Sequence, residues 1–153
     1  MGTAASGLSG VLEIALILSV CVLTLKMLFL GVRTALTRGR AKRFINAEDT
    51  AWLGGETVAA DIDSAARWRR AHLNDVENFV PFVALGSAYL LLGGSVYAGL
   101  VYVSVFTLAR ILHSVAYLNH KARLRRDAYS AGFLVLAAMA IHVATLAIGR
   151  LFG

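Results

Sequence analysis

Three short sets of polar residues interrupt the apolar segments of this chain, and each set is spaced to share one face of a helix. The first set is Arg70, Asn74 and Glu77, at positions i, i+4 and i+7. These intervals place side chains on the same helical face. The segment that follows, residues 81–92, is largely apolar. Because a polar stripe carried into a bilayer is energetically expensive, we predict a functional site on this helix.

The second and third sets share the same kind of spacing and consist of Arg110, His113 and Tyr117 and of Arg125, Arg126 and Tyr129. All three sets lie towards the same end of their predicted helices. They could therefore converge on one pocket, within the bundle or between subunits of an oligomer.

These residue types suit a small ligand that carries more than one carboxylate and at least one amine. Arginine binds carboxylates through a fork of fixed donors, and Glu77 can accept a hydrogen bond from an ammonium group. A tripeptide thiol such as glutathione meets this description, and nearby positive charge favours its thiolate form. Two plainer interpretations remain open. Glu77 could form a structural ion pair, and Arg67 and Arg69 could be interfacial charges that set topology.

The composition indicates an integral membrane protein, because 58% of the 153 residues are hydrophobic, 16% are charged and the mean hydropathy is +0.69. The net charge of +6 is concentrated between apolar spans, which favours a role in topology and anion binding over nucleic-acid binding. A single cysteine, Cys21, excludes an intrachain disulfide. His72 and His113 lack the spacing of metal ligands, so no metal is expected.

Four apolar spans must position the polar sets, and we predict helices at about 8–37, 64–92, 96–119 and 124–151 in a single domain, 1–153. Only Gly93, Gly94 and Ser95 separate the second and third spans, which predicts an antiparallel hairpin. The long loop, residues 38–63, contains a helix-start signal at Asn46. The loop and the 120–123 segment are basic, so the positive-inside rule places them on the cytoplasmic side. The expected fold is an all-α, integral-membrane four-helix bundle.

The chain resembles the family of membrane-associated proteins in eicosanoid and glutathione metabolism. The resemblance rests on Arg70-Ala71-His72-x-Asn74-Asp75-x-Glu77-x-x-x-Pro81-Phe82 and on Arg110-x-x-His113-x-x-Ala116-Tyr117. Further matches in order and spacing, most similar to the microsomal prostaglandin E synthase subgroup, are Lys26, Arg38, Phe44-x-Asn46-x-Glu48-Asp49 and Gly54-Gly55. The resemblance covers roughly residues 12–150.

This resemblance implies a homotrimer that binds glutathione between subunits near the cytoplasmic side. It also implies a glutathione transferase, peroxidase or isomerase acting on a lipophilic electrophile that enters from the lipid bilayer. The implied glutathione-binding residues are Arg38, Arg70, Asn74, Glu77, Arg110, His113, Tyr117, Arg125, Arg126 and Tyr129. Among them Arg125 would stabilise the thiolate and Arg110 would support the site, while Asp49 would be a catalytic partner.

Two departures from the subgroup favour a general glutathione transferase or peroxidase over a prostaglandin-E-synthase-type isomerase. Leu73 stands where the subgroup often has an arginine, and Arg126 stands where it has a serine proposed to contact the thiol. A non-catalytic lipid-binding member of the family and a small transporter are the remaining alternatives. The expected membrane is a bacterial inner membrane or the endoplasmic reticulum, depending on the source.

Overall fold

The computed structural model describes residues 2–152, with side chains from residue 10 onward, and four long helices dominate it. In chain order the elements are α1 (Gly2–Ala41), β1 (Arg43–Phe44), α2 (Ala47–Leu53), β2 (Glu56–Thr57), α3 (Asp63–Leu91), α4 (Val96–Leu118) and α5 (Ala122–Phe152). Helices α3 and α4 form the central pair, because α1 and α5 each pack against both of them. The predicted all-α class is confirmed.

Three of the long helices are apolar and long enough to cross a membrane. They are Gly10–Ala41, Val96–Leu118 and Ala122–Phe152. The sequence predicts a fourth span in α3. At 29 residues α3 has sufficient length. It is not among the helices apolar enough to cross a membrane, because its first half is rich in charged and amide side chains. Helix α3 therefore combines a polar half with an apolar half.

An apolar core fixes how the four helices are rotated about their axes. Its buried members are Leu12, Leu16, Leu23, Phe82, Tyr89, Val103, Phe106 and Met139. Phe82 of α3 stacks on Phe106 of α4 with ring centroids 4.2 Å apart. Beyond this core, near the end of α4, polar side chains of α3, α4 and α5 approach one another.

The segment between α1 and α3 is a folded connection and not an open loop. Helix α1 continues to Ala41, four residues beyond its predicted end, so Arg38 lies on its last turn, where a cation complements the helix dipole. Strands β1 and β2 pair in parallel, with Glu56 N donating to Lys42 O at 2.9 Å and Val58 N donating to Phe44 O at 2.8 Å. A Cβ at residue 55 would overlap the Lys42 carbonyl, and Gly55 has φ +126°, so glycine is required there.

The connection is held to the bundle by the carboxylate of Asp61. This side chain is only 2% exposed and accepts hydrogen bonds from Arg38 Nε at 2.6 Å and Arg38 Nη2 at 2.8 Å. Arg69 Nε of α3 lies 3.1 Å from the second carboxylate oxygen. The hydrogen bonds from Arg38 and the charges of both arginines hold the pKa of Asp61 below its usual range. Asp61 therefore ties the end of α1 to the start of α3.

Candidate functional site

Side chains from three helices gather around Tyr117, near the end of α4. Arg70 Nε of α3 donates to Tyr117 Oη at 3.2 Å, and Arg67 Nη1 donates to Tyr117 O at 3.0 Å. The Arg125 guanidinium of α5 lies 4.9 Å from the centroid of the Tyr117 ring, within the range of a cation–π contact. We call Arg67, Arg70, His113, Tyr117, Arg125 and Tyr129 the Tyr117 cluster.

The Tyr117 cluster has a buried side and an open side. The His113 ring lies 5.8 Å from the Tyr117 ring and 6.1 Å from the Tyr129 ring, measured between centroids. His113 is 3% exposed, and its Nδ1 has no hydrogen-bond partner among the described residues. Tyr129 is 42% exposed and stacks on Phe133. The cluster therefore combines a buried histidine with a partly exposed tyrosine.

An open cleft of about 580 Å³ lies beside the cluster, between the start of α3 and the end of α4. Arg67 and Arg70 line one wall, and Leu118 and His120 line the other. A smaller pocket of about 160 Å³ shares Arg67 and His120 with this cleft and adds Arg125. The concave surface is thus rich in fixed positive charge, which suits an anionic ligand.

Behind the cluster, the bundle interior contains a buried ion cluster made of Lys26, Asp75, Arg110 and Ser114. Lys26 Nζ of α1 lies 2.9 Å from Asp75 Oδ2, and Arg110 Nη2 of α4 lies 2.8 Å from Asp75 Oδ1. Ser114 Oγ also donates to Asp75 Oδ2 at 3.1 Å. Both oxygens of this 3%-exposed carboxylate are therefore hydrogen-bonded, as a buried charge requires.

Asn74 links the buried ion cluster to the exposed polar face of α3. Its Oδ1 accepts a hydrogen bond from Arg110 Nη2 at 2.6 Å, which fixes the orientation of the side-chain amide. With Oδ1 occupied, Nδ2 is the group of Asn74 that can donate to a ligand. Arg110 thus contacts both Asn74 and Asp75.

The remaining predicted site residues lie apart from the Tyr117 cluster within the described chain. Glu77 is exposed on α3 and forms no ion pair within residues 10–152. Arg126 pairs with its exposed neighbour Asp127 at 2.8 Å. Arg38 binds Asp61, and Asp49 lines a small pocket with Arg38. The structure thus brings five predicted residues together, namely Arg70, His113, Tyr117, Arg125 and Tyr129.

Sequence reasoning assigned no site role to Lys26, Asp75 or Arg67. A signal for the first two was present, because lone charges of opposite sign in membrane segments must find partners. Lys26 interrupts the apolar run of α1, and Asp75 lies beside the first polar set. For Arg67, the interpretation as an interfacial charge omitted its hydrogen bond to Tyr117 O. No group of three or more potential metal ligands occurs among the described residues.

Long apolar helices, with a basic and aromatic cluster at one end, define a helical integral membrane protein. The chain belongs to the MAPEG family, whose family model matches residues 16–145. This result confirms the family expected from the motifs of α3 and α4.

Relatives of two kinds are similar to this chain. Microsomal glutathione S-transferase 1 of Rattus norvegicus is 39% identical over 123 residues, which cover 77% of this chain and 79% of the relative. Prostaglandin E synthase of Equus caballus is 37% identical over 130 residues, covering 84% of this chain and 85% of the relative. The enzyme of the same name from Macaca fascicularis is 35% identical over 130 residues, covering 84% and 86%. The higher identity to the transferase and the longer match to the synthases do not separate the two activities.

Proposed function

We propose that this protein is a membrane-bound glutathione transferase and peroxidase that acts on lipophilic electrophiles or hydroperoxides. The observation that carries the proposal is the convergence of Arg67, Arg70 and Arg125 on Tyr117. Three guanidinium groups around one tyrosine, beside an open cleft, match the needs of a ligand with two carboxylates. The similarity to microsomal glutathione S-transferase 1 supports the same assignment.

In the proposed complex, Arg70 and Arg67 bind carboxylates of glutathione, and Asn74 donates from Nδ2. Glu77 accepts from the ammonium group of the tripeptide. Arg125 stabilises the thiolate by electrostatic preorganisation, since its guanidinium is already held over the Tyr117 ring. The thiolate then forms a bond to the electrophilic carbon, whose leaving group departs with the electron pair.

For a hydroperoxide the thiolate attacks the distal oxygen and breaks the O–O bond, which yields a glutathione sulfenic acid and an alkoxide. The alkoxide takes up a proton from solvent, equivalent to the one that the thiol released, and leaves as the alcohol. A second glutathione reduces this sulfenic acid to the disulfide and water. The protein residues have the same roles in both reactions, namely to bind the carboxylates and to stabilise negative charge on sulfur.

The exposed face of α3 supports the proposal of a homotrimer in which the site lies between subunits. Glu77 lies on the same face as Leu73, Val76 and Val80, and all four are exposed in the isolated subunit. A carboxylate in the polar half of a membrane helix is costly to expose to lipid. A neighbouring subunit would cover this face and shield Glu77 from lipid. The basic ends of the helices would then face the cytoplasm.

A prostaglandin-E-synthase-type isomerase is the second candidate. One observation favours it: Asp49 and Arg38 line the same small pocket, so a carboxylate is available beside a cation. Arg126, which stands where that subgroup has a serine, argues for the transferase.

Glutathione binding to the detergent-purified protein tests the proposal. We expect binding at micromolar to millimolar concentration and a thiolate absorbance band near 240 nm at neutral pH. S-Methylglutathione is the matched control ligand, since it keeps both carboxylates and the amine but cannot form a thiolate. It should bind without the band. A protein that binds neither ligand at millimolar concentration would contradict the proposed function.

A further inference from the structure

The buried ion cluster carries more positive than negative charge. Within residues 10–152, Asp75 is the only acidic side chain that pairs with Lys26 or Arg110. One carboxylate thus faces two cations in the bundle interior, and the side chains of Asp75 and Arg110 are 3% and 2% exposed. The cluster therefore has a net charge of +1 if Lys26 is protonated.

The hydrogen bonds around Lys26 Nζ match the ammonium form, in which each of the three N–H groups has an acceptor. Its Nζ lies 3.0 Å from Asp75 Oδ1, 2.7 Å from Arg110 O and 3.0 Å from Ser114 Oγ. Ser114 has one hydroxyl hydrogen, and it donates that hydrogen to Asp75 or to Arg110 O. Ser114 Oγ must then accept from Lys26. Three acceptors around Nζ need three N–H donors, which only an ammonium group provides.

The cluster is joined directly to the proposed binding residues. Arg110 Nη2 donates to Asn74 Oδ1, and His113 follows Arg110 by one turn on the same face of α4. Tyr117 lies seven residues after Arg110, which corresponds to about 10 Å along the helix axis. His113 and Ala116, which lie between them in the sequence of α4, are buried. In this weakly screened interior a net charge acts over such a distance.

We infer that Lys26 and Asp75 set the electrostatic potential at the proposed glutathione site, so that the uncompensated charge of Lys26 favours the thiolate. The inference rests on the proposed function and adds two residues to it. Lys26 and Asp75 act through Arg110 and the protein interior and are positioning residues, since they do not touch the ligand. The other ionisable groups around Tyr117 are Arg67 and Arg70 of α3, His113 of α4, and Arg125 and Tyr129 of α5.

Charge-changing variants separate this role from a merely structural one. Lys26→Met removes one positive charge and leaves a neutral Asp75–Arg110 pair. Adding Asp75→Asn to Lys26→Met returns the net charge to +1 while removing the Lys26–Asp75 ion pair altogether. One unit charge at about 10 Å, at an effective dielectric constant of about 20, changes an ionisation equilibrium about tenfold. Lys26→Met should therefore lower the thiolate ionisation constant of bound glutathione about tenfold, and the double variant should restore it.

The measurement is the pH midpoint of the 240 nm thiolate band in each detergent-purified protein, with S-methylglutathione affinity as the control for an intact site. If Lys26→Met is not recovered as folded protein, Asp75→Asn alone serves, because it raises the net charge and should lower the midpoint. Equal midpoints in proteins that retain S-methylglutathione affinity would overturn the role of Lys26 and leave the proposed function standing. Absence of the band in the wild-type protein would overturn both.

Discussion

Replacing Asp61 by asparagine should release the segment between α1 and α3 while the helical bundle remains folded. The Asp61 carboxylate joins this segment to Arg38 at the end of α1 and to Arg69 at the start of α3, and the buried Phe44 ring packs nearby. It lies outside the apolar core that packs the long helices together. The expected effect is therefore a local opening of residues 42–62.

The magnitude follows from the contacts that asparagine cannot make. Asp61 receives two hydrogen bonds from Arg38, and charge-assisted hydrogen bonds contribute about 1.5–3 kcal/mol each. Asparagine keeps one oxygen acceptor, and Arg69 is about half exposed, so its contribution is screened by solvent. We expect a loss of about 2 kcal/mol, which corresponds to about a thirtyfold larger population of the opened segment.

Hydrogen exchange at the amide of Val58 measures this population, because that amide donates to Phe44 O across the β1–β2 pair. Exchange there should be about thirtyfold faster in Asp61→Asn. Glu56→Gln is the matched control, since Glu56 pairs with Arg43 at 3.4 Å and both side chains are more than half exposed. That exposed pair contributes little, so the control should change exchange less than about threefold. Unchanged exchange at Val58 in Asp61→Asn would refute the anchoring role.

The ion pairs of Asp61 with Arg38 and Arg69 also predict that the stability of this segment depends on pH, with a defined sign. Arg38 and Arg69 hold the pKa of Asp61 below its usual range, so the folded connection binds the Asp61 proton less tightly than the unfolded chain. The stabilisation is fully present above the unfolded pKa of about 3.9 and is lost as the pH falls through the lower folded value. The difference in Val58 exchange between wild type and Asp61→Asn should therefore disappear in acid. A difference that grows in acid would contradict this assignment.

Two further predictions concern the site and the hairpin between α3 and α4. Arg125→Ala should reduce conjugation of glutathione to an aromatic chloride by at least about tenfold, whereas Arg123→Ala, exposed on the same first turn, should keep the wild-type rate. Equal rates in the two variants would remove Arg125 from the thiolate role. Gly94→Ala should lower the melting temperature, because its Cβ would overlap the ring of Tyr89, which is 1% exposed, and such overpacking costs about 1–3 kcal/mol. Gly149→Ala meets no atom within 4 Å and should not lower it, so similar losses in both variants would contradict the argument.

The long helices could be predicted from the sequence because hydrophobic runs and short connections determine them locally. The Gly93–Ser95 connection predicts the hairpin between α3 and α4, and Asn46 correctly predicts the short helix α2 that follows it. The end of α1 was predicted four residues too early. Basic residues were interpreted as the start of a loop, although they are favourable on the last turn of a helix.

The helical spacing also predicted some of the polar residues that meet at one end of the bundle, although Glu77 and Arg126 lie apart from them. Arg70, His113 and Tyr117 come together because i, i+3, i+4 and i+7 intervals survive in any regular helix. The contacts of Asp61 with Arg38 and Arg69 could not be predicted in this way. Asp61 lies in an irregular connection and contacts two different helices, and such contacts leave no periodic pattern in the sequence.

The buried ion cluster has a consequence for how the chain enters its membrane. Lys26, Asp75 and Arg110 are carried by three different helices, and Arg110 follows Lys26 by 84 residues. During synthesis α1 must therefore enter the bilayer before its buried partners exist. A lone lysine in the middle of a membrane helix costs about 2.5–3.5 kcal/mol on insertion scales. Helix α1 would gain its final depth and rotation only when α3 and α4 have been inserted. The final placement of the first helix in the membrane therefore depends on the synthesis of α4.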